Sequence, residues 1–103
     1  MKYTIQDAVD AARLIEPELA RRGLHVAIGG SLMYRGDSEK DIDLIVYSHN
    51  PRETLSQTVL ASVEAAALVA GFSVDRERTG SGRRNREVLV TWWGEKRVDL
   101  IIA

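Results

Sequence analysis

The apolar residues near the start of the chain follow the period of a helix. Within residues 4–22 they recur at three- and four-residue steps, which predicts one buried helical face. The members of this stripe are Ile5, Val9, Ala12, Ile15 and Leu19. Thr4 is the expected N-cap, with Asp7 three residues later, and Gly23 is the expected stop. Pro17 predicts a kink or a restart within the helix, because proline removes a backbone hydrogen bond.

The next segments predict two strands separated by a turn. Residues 24–28 form a short apolar run, and a second apolar run extends from Asp41 to about Tyr47. Between them, residues 32–35 suggest a short helix and residues 36–40 a polar loop.

A second helix is predicted after residue 50. Asn50 suits the N-cap, Pro51 the first helical position, and Glu53 a capping box. Its expected buried stripe consists of Leu55, Val59, Val63, Ala66 and Ala70. Gly71 is the predicted end of this helix.

The last third of the chain predicts strands. Residues 72–75 suggest a brief strand, whereas residues 86–93 and 97–102 alternate and are rich in strand-forming residues. Gly94 and Glu95 between them read as a two-residue hairpin turn with glycine first.

This hairpin turn implies a register for the two strands that it joins. Trp93 then faces Lys96, Trp92 faces Arg97, and Val90 faces Asp99. Cross-strand partners share a face of the sheet. We therefore expect the five side chains Val90, Trp92, Arg97, Asp99 and Ile101 to point the same way.

The order of these elements predicts an α+β fold, a small mixed β-sheet with helices packed on one face. A length of 103 residues suits a single domain spanning residues 1–103. The chain contains no cysteine, so disulfides, thiol nucleophiles and cysteine-bound zinc are excluded. We find no segment with the length and apolar character of a membrane span, and we expect a soluble cytoplasmic domain with no membrane partner.

Three aspartates lie at unusual places within the predicted strands. Asp41 and Asp43 are two residues apart, which puts them on one face of a strand, about 7 Å apart. Asp99 is a third carboxylate in an otherwise apolar strand, and we expect all three on the face opposite the helices. Such oxygen ligands suit Mg²⁺ or Mn²⁺. The alternatives are a solvated strand end for Asp41 and Asp43, and a cross-strand ion pair with a neighbouring arginine for Asp99.

The turn before these aspartates suggests a phosphate site. Gly29 and Gly30 allow a ligand to approach the backbone, and Ser31 can cap the short helix that follows. A helix N-terminus after a glycine-rich turn favours an anion such as phosphate. Arg35 and Lys40 are additional candidate phosphate contacts. A plain tight turn and charges that merely balance the acids are the alternatives.

Other candidates surround this core of the site. Trp92, on the predicted aspartate face, is the better of the two tryptophans for stacking a base, although both are expected to be mainly structural. The most basic stretch of the chain consists of Arg76, Arg78, Arg83, Arg84 and Arg86. It is either a solvated loop or a contact for a triphosphate or an acidic acceptor.

These residues together resemble a known signature. Gly30 and Ser31, followed after nine residues by Asp41, Ile42 and Asp43 and later by Asp99, resemble the nucleotidyltransferases of the DNA polymerase beta superfamily. The chain is most similar to the minimal, antitoxin-type members. The pattern covers essentially the whole chain.

The resemblance implies a function. Asp41, Asp43 and Asp99 are then catalytic and hold two Mg²⁺ (or Mn²⁺) ions, while the turn at Gly30 and Ser31 binds the β- and γ-phosphates of a nucleoside triphosphate. An acceptor hydroxyl attacks the α-phosphorus and expels pyrophosphate. ATP is the default donor, so AMP would move to a hydroxyl of a protein, nucleic acid or small molecule. Asp99 could also help to take the hydroxyl proton.

The chain departs from the resemblance in one respect. Larger members carry a further helical domain that binds the base or the acceptor, whereas this sequence ends four residues after Asp99. The surface that binds the acceptor is then expected to come from a protein partner, from a second copy of the chain in a homodimer, or not to be formed at all. The rival hypotheses are a non-catalytic, antitoxin-like interaction module that keeps the fold, and nucleic-acid binding through the arginines of residues 76–86.

Overall fold

The computed structural model of the chain describes residues 3–29, 37–38, 41–48, 57–81 and 87–102. In chain order the elements are β1 (Tyr3–Thr4), α1 (Ile5–Ala20), β2 (Leu24–Ile28), β3 (Asp37–Ser38), β4 (Ile42–Ser48), α2 (Gln57–Val69), β5 (Ser73–Val74), β6 (Gly80–Ser81), β7 (Glu87–Trp93) and β8 (Lys96–Ile102).

Helix α1 begins with the predicted cap. The Thr4 side chain accepts a hydrogen bond from the backbone N–H of Asp7, and the Asp7 carboxylate accepts one from the backbone N–H of Thr4. This reciprocal capping box satisfies two backbone donors that the first turn leaves without helical partners.

Of the kink or restart predicted at Pro17, the restart does not occur, because α1 runs as one helix from Ile5 to Ala20. Ile15 and Leu19, on either side of the proline, are both fully buried. Their packing holds both parts of the helix on the same sheet face, and this burial offsets the loss of the backbone hydrogen bond that Pro17 cannot donate.

Helix α2 shows the predicted stripe as far as it is described. Val63 and Ala66 are fully buried, together with Ala67, and the chain leaves the helix at Gly71 with a φ of 95°. That left-handed conformation favours glycine. The predicted cap residues Asn50, Pro51 and Glu53, like Leu55 and the predicted short helix at residues 32–35, lie outside the described residues.

The main sheet is mixed, as predicted, with the strand order β2-β4-β8-β7-β5 and with β6 also paired to β7. Strands β4 and β8 run parallel, and every other pair in this sheet is antiparallel. Strands β7 and β8 form the predicted hairpin, with Gly94 at a φ of 62° in the turn. The predicted register is confirmed, since Val90 pairs with Asp99 and Trp92 with Arg97.

The two helices cover one face of this sheet. Alternate residues of β4 and β8 point into the same core as the buried residues of α1 and α2. These strand residues are Ile42, Leu44, Val46, Val98, Leu100 and Ile102. Because side chains alternate along a strand, the intervening residues, including Asp43 and Asp99, lie on the other face. The α+β architecture with helices on one face is therefore as the sequence predicted.

A two-stranded ribbon was not predicted. Strand β1 pairs antiparallel with β3, so that Tyr3 is opposite Ser38 and Thr4 opposite Asp37. Strand β3 falls within the predicted polar loop, shortly before Asp41. The ribbon therefore ties the beginning of the described chain to the segment that leads into the aspartates.

Neither helix in the described part of the chain is both long enough and apolar enough to cross a membrane.

Candidate metal centre

The parallel pairing of β4 with β8 brings two aspartates side by side. Asp43 and Asp99 are direct register partners in this pair and share the face that the helices leave open. Neighbouring strands are about 5 Å apart, so carboxylates at paired positions on one face lie within reach of a common ligand. Fifty-six positions of sequence separate these two residues, and only the sheet makes them neighbours.

Asp41 completes the group from the residue immediately before β4. One carboxylate oxygen from each of Asp41, Asp43 and Asp99 can be chosen so that all three lie within 4.8 Å of one another. Ligands on opposite sides of an octahedral Mg²⁺ are about 4 Å apart, so a small closing movement is enough for coordination. Three hard oxygen donors in this arrangement suit a divalent cation such as Mg²⁺ or Mn²⁺. We call these three residues the aspartate triad.

Burial distinguishes the members of the aspartate triad. Asp99 is only 8% exposed, whereas Asp41 and Asp43 are half-buried. A buried carboxylate is unfavourable unless a cation or hydrogen-bond donors compensate its charge. The triad therefore has one side closed by the protein and another open towards solvent, which is the arrangement that a site for an exchangeable cation needs.

Arg97 supplies a compensating charge from within β8. Its Nε lies 2.9 Å from one carboxylate oxygen of Asp99, and its Nη2 lies 3.2 Å from the other. Such a two-point contact is the strongest form of arginine–carboxylate pairing. The ion pair that was the alternative for Asp99 therefore exists, although it runs along one strand and not across two. It coexists with the triad and does not replace it.

Sequence reasoning did not include Arg97 among the site residues. The available signal was its position two residues before Asp99, which places both side chains on one face of the strand. The backbone N–H of Arg97 also donates to the Tyr3 hydroxyl at 3.4 Å. Tyr3 is itself buried, so β1 supports strand β8 at Arg97, the residue that pairs with Asp99.

The charges of the site shift the pKa values of its members. Burial raises the pKa of Asp99, and the neighbouring Asp41 raises it further, while the Arg97 guanidinium opposes both effects. The pKa of Arg97 is also raised, first by its hydrogen bonds to Asp99, with smaller contributions from Asp41 and Asp43. The guanidinium therefore lies within the electric field of the whole triad.

Gly29 adjoins this site through the backbone. Its N–H donates to the carbonyl oxygen of Asp43 at 2.9 Å. A Cβ atom at position 29 would lie 2.7 Å from the Cδ1 and 3.0 Å from the Cγ1 of Ile45, so a larger residue here requires the Ile45 side chain to shift. The role of Gly29 in nucleotide binding remains a prediction. The other predicted phosphate contacts, Gly30, Ser31, Arg35 and Lys40, lie outside the described residues.

The two tryptophans of β7 lie on opposite faces of the sheet. Trp93 stacks on Phe72 and packs against the core. Trp92 pairs with Arg97 on the triad face, is half-buried, and its indole Nε1 donates to the Asp75 carboxylate at 3.4 Å. This contact fixes one edge of the ring. Base stacking by Trp92 is still a prediction.

The described arginines of the basic stretch have acidic partners. Arg76 pairs with Glu64 and Arg78 with Asp75. The remaining three, Arg83, Arg84 and Arg86, lie outside the described residues. The first two therefore have part of their charge balanced within the protein.

Comparison with known proteins adds no family assignment. The sequence matches no known family model and no curated protein. The chemistry of the site therefore has to be argued from its own geometry. At the level of that geometry, the aspartate triad could hold a metal ion.

Proposed function

We propose that this protein is a Mg²⁺- or Mn²⁺-dependent nucleotidyltransferase of the DNA polymerase beta type, with a nucleotidyltransferase-like fold. It would transfer a nucleoside monophosphate, AMP in the default case, from a nucleoside triphosphate to a hydroxyl group of a protein, a nucleic acid or a small molecule. Pyrophosphate would leave. The aspartate triad would hold two metal ions.

The observation that carries this proposal is the convergence of three carboxylates on one open sheet face. Two of them, Asp43 and Asp99, are register partners on parallel strands, so the backbone itself holds them together. Placing like charges next to one another is electrostatically unfavourable for an unliganded fold. A site for divalent cations gives a physical reason for the arrangement.

The protein residues would have distinct roles in the reaction. The acceptor hydroxyl oxygen would form a bond to the α-phosphorus while the bond to the pyrophosphate oxygen breaks. Asp99 is the candidate acceptor of the hydroxyl proton. The chemistry that bound divalent cations supply is stabilisation of negative charge on the attacking and leaving oxygens.

The backbone near Gly29 supports a phosphate position beside the triad. Gly29 is hydrogen-bonded to the carbonyl of Asp43, and the sequence continues directly into Gly30 and Ser31. A glycine-rich turn that begins next to a cluster of metal ligands would bring phosphate oxygens and metal ions together. This is the relation that nucleotidyl transfer requires.

Calorimetric titration with Mn²⁺ and each nucleoside triphosphate tests the proposal. We expect metal-dependent binding by the wild-type protein, and binding at least about tenfold weaker in Asp43→Asn, because one metal ligand is lost. Asp10→Asn is the matched control, since it removes the same charge from α1, where Asp10 accepts a hydrogen bond from Gln6. EDTA should abolish the binding.

A labelling experiment identifies the reaction. With α-³²P-labelled and γ-³²P-labelled ATP in parallel, nucleotidyl transfer labels an acceptor only from the α-labelled donor. Label transferred from the γ-position would indicate phosphoryl transfer instead. Binding that is equal in wild type and Asp43→Asn, or a well-folded wild type that binds neither metal nor nucleotide, would contradict the proposal.

The two-point contact between Arg97 and Asp99 favours a second candidate function. An internal cation already compensates the most buried carboxylate, so the fold does not depend on a metal ion for this charge. The protein would then be an antitoxin-like interaction module that binds a partner without catalysis. A partner complex whose affinity is unchanged by Asp43→Asn, together with the absence of label transfer, would support this candidate.

A further inference from the structure

Arg97 competes with any metal ion for the oxygens of Asp99. Its guanidinium contacts both carboxylate oxygens, at 2.9 and 3.2 Å. An arginine side chain remains protonated at all physiological pH values, so this positive charge is permanent. A divalent cation that binds Asp99 must share these oxygens with the guanidinium or displace it.

The competition extends over the whole triad. Asp41 precedes Ile42, whose partner in the parallel ladder is Val98, the residue after Arg97. Carboxylate oxygens of Asp41 and Asp43 lie within 4.8 Å of an oxygen of Asp99, the carboxylate that the guanidinium contacts. The guanidinium therefore stabilises the three carboxylates in the absence of metal and repels a divalent ion that approaches them.

A nucleoside triphosphate reverses the sign of this effect. Its phosphates carry several negative charges, and guanidinium groups bind phosphate oxygens with paired hydrogen bonds. Once a metal–triphosphate complex is next to the triad, the same positive charge attracts it. Arg97 is also partly exposed, with 29% of its side-chain surface accessible, so it can be reached from solvent.

We propose that Arg97 makes metal binding at the aspartate triad depend on the triphosphate. Arg97 would weaken the binding of a bare divalent ion and strengthen the binding of the ion–triphosphate complex. This inference rests on the proposed function and specifies how its substrate is loaded: metal and triphosphate enter together. Arg97 is then a specificity-determining residue for the metal-bound form of the substrate.

The test measures Mn²⁺ affinity with and without inorganic tripolyphosphate, which carries the charge of the donor but no base. In Arg97→Gln we expect bare Mn²⁺ to bind about tenfold more tightly and Mn²⁺–tripolyphosphate about tenfold more weakly. Binding is followed by calorimetry and by the electron paramagnetic resonance signal of free Mn²⁺. Neither readout requires turnover.

Two further variants separate charge from other effects. Lys96→Gln removes the same charge from the adjacent residue, whose ammonium group contacts Asp7 and not the triad, and it should change both affinities less than about twofold. Arg97→Lys keeps the charge and a similar length but loses the two-point contact with the Asp99 carboxylate. It should lie between wild type and Arg97→Gln, and it preserves the test if Arg97→Gln does not fold.

The outcomes distinguish this inference from the function on which it rests. If Arg97→Gln binds bare Mn²⁺ equally well or less well, Arg97 only orients Asp99, and the inference is overturned. If Asp43→Asn changes neither the affinity for bare Mn²⁺ nor that for Mn²⁺–tripolyphosphate, the triad is not the metal site, and the proposed function itself is contradicted. Asp43-dependent binding of Mn²⁺–tripolyphosphate with no response to Arg97→Gln would overturn only the inference.

Discussion

The two faces of strands β4 and β8 have opposite chemistry. On the helix-covered face, Leu44 and Leu100 are paired and fully buried, with their apolar neighbours in one continuous core. On the open face, the next pair along the same ladder is Asp43 and Asp99. The covered face contributes stability through burial of apolar surface, and the open face concentrates negative charge.

This difference shows how one sheet can place the residues that stabilise the fold on one face and the residues of a candidate site on the other. Because the side chains alternate, changing a residue on one face leaves the packing of the other largely intact. Natural sites often tolerate local destabilisation that the rest of the fold offsets. Five substitutions, on the two faces and where α1 meets the hairpin, test this account.

The largest effect on stability is expected on the covered face. Leu100→Ala should lower the free energy of unfolding by about 2–5 kcal/mol, because it leaves a cavity among fully buried residues. Ile101→Ala, one residue further but on the open face, should lower it by only about 1 kcal/mol, since Ile101 is half-buried. Urea denaturation of both variants measures the difference. Equal losses would mean that the open face is packed like the core.

A smaller effect is expected where α1 meets the hairpin. Asp7 accepts hydrogen bonds from Thr4 and from the Lys96 ammonium, and both interactions lower the pKa of its carboxyl. Asp7→Asn should therefore lower the free energy of unfolding by about 1 kcal/mol at pH 7. The stabilisation exists above the unfolded pKa of about 3.9 and is lost as the pH falls through the lower folded pKa. Denaturation between pH 2 and pH 7 measures it. A difference that persists at pH 2 would contradict this electrostatic origin.

The opposite pH dependence is expected for Asp99. Because the pKa of its carboxyl is raised in the folded state, ionisation of Asp99 opposes folding. Asp99→Asn should become more stable relative to wild type as the pH rises from about 4 through that raised pKa. Arg97 offsets part of the burial penalty, which limits the gain. Metal-free protein in EDTA is the sample, and a relative stability independent of pH would contradict the prediction.

The smallest effect is expected at Gly29. An added Cβ would meet the Cδ1 and Cγ1 atoms of Ile45, and the Cδ1 end of this side chain can rotate away. Gly29→Ala should therefore change the free energy of unfolding by no more than about 0.5 kcal/mol. Its effect on nucleotide binding is the more informative measurement. A loss of triphosphate affinity without a loss of stability would support a phosphate-binding role for the turn.

Local patterns predicted those parts of the fold that depend on near neighbours. The capping box at Thr4 and Asp7 and the hairpin around Gly94 each involve residues close in sequence, so backbone chemistry alone is enough to define them. The hairpin also fixed its own register, and with it the shared face of Arg97 and Asp99. Strands β1 and β3 were missed because two-residue strands carry no periodic signal.

Pro17 shows where a local rule was overruled. Proline disfavours a helix interior, yet the burial of Ile15 and Leu19 keeps α1 continuous. Arg97 shows a different limit. Its face was predictable from the alternation of the strand, but its choice of Asp99 as partner depends on burial and on the surrounding charges, which are three-dimensional properties.

The sequence by itself determined the faces of the strands, the α+β class and the three aspartates that lie apart from the apolar core. Only the tertiary structure decided that β4 and β8 are parallel neighbours, that Asp43 pairs with Asp99, and that Arg97 donates hydrogen bonds to both oxygens of the Asp99 carboxylate. The physical reason is distance along the chain. A strand's periodicity specifies which side chains share a face, whereas pairing two distant strands depends on how the helices between them bury their apolar sides.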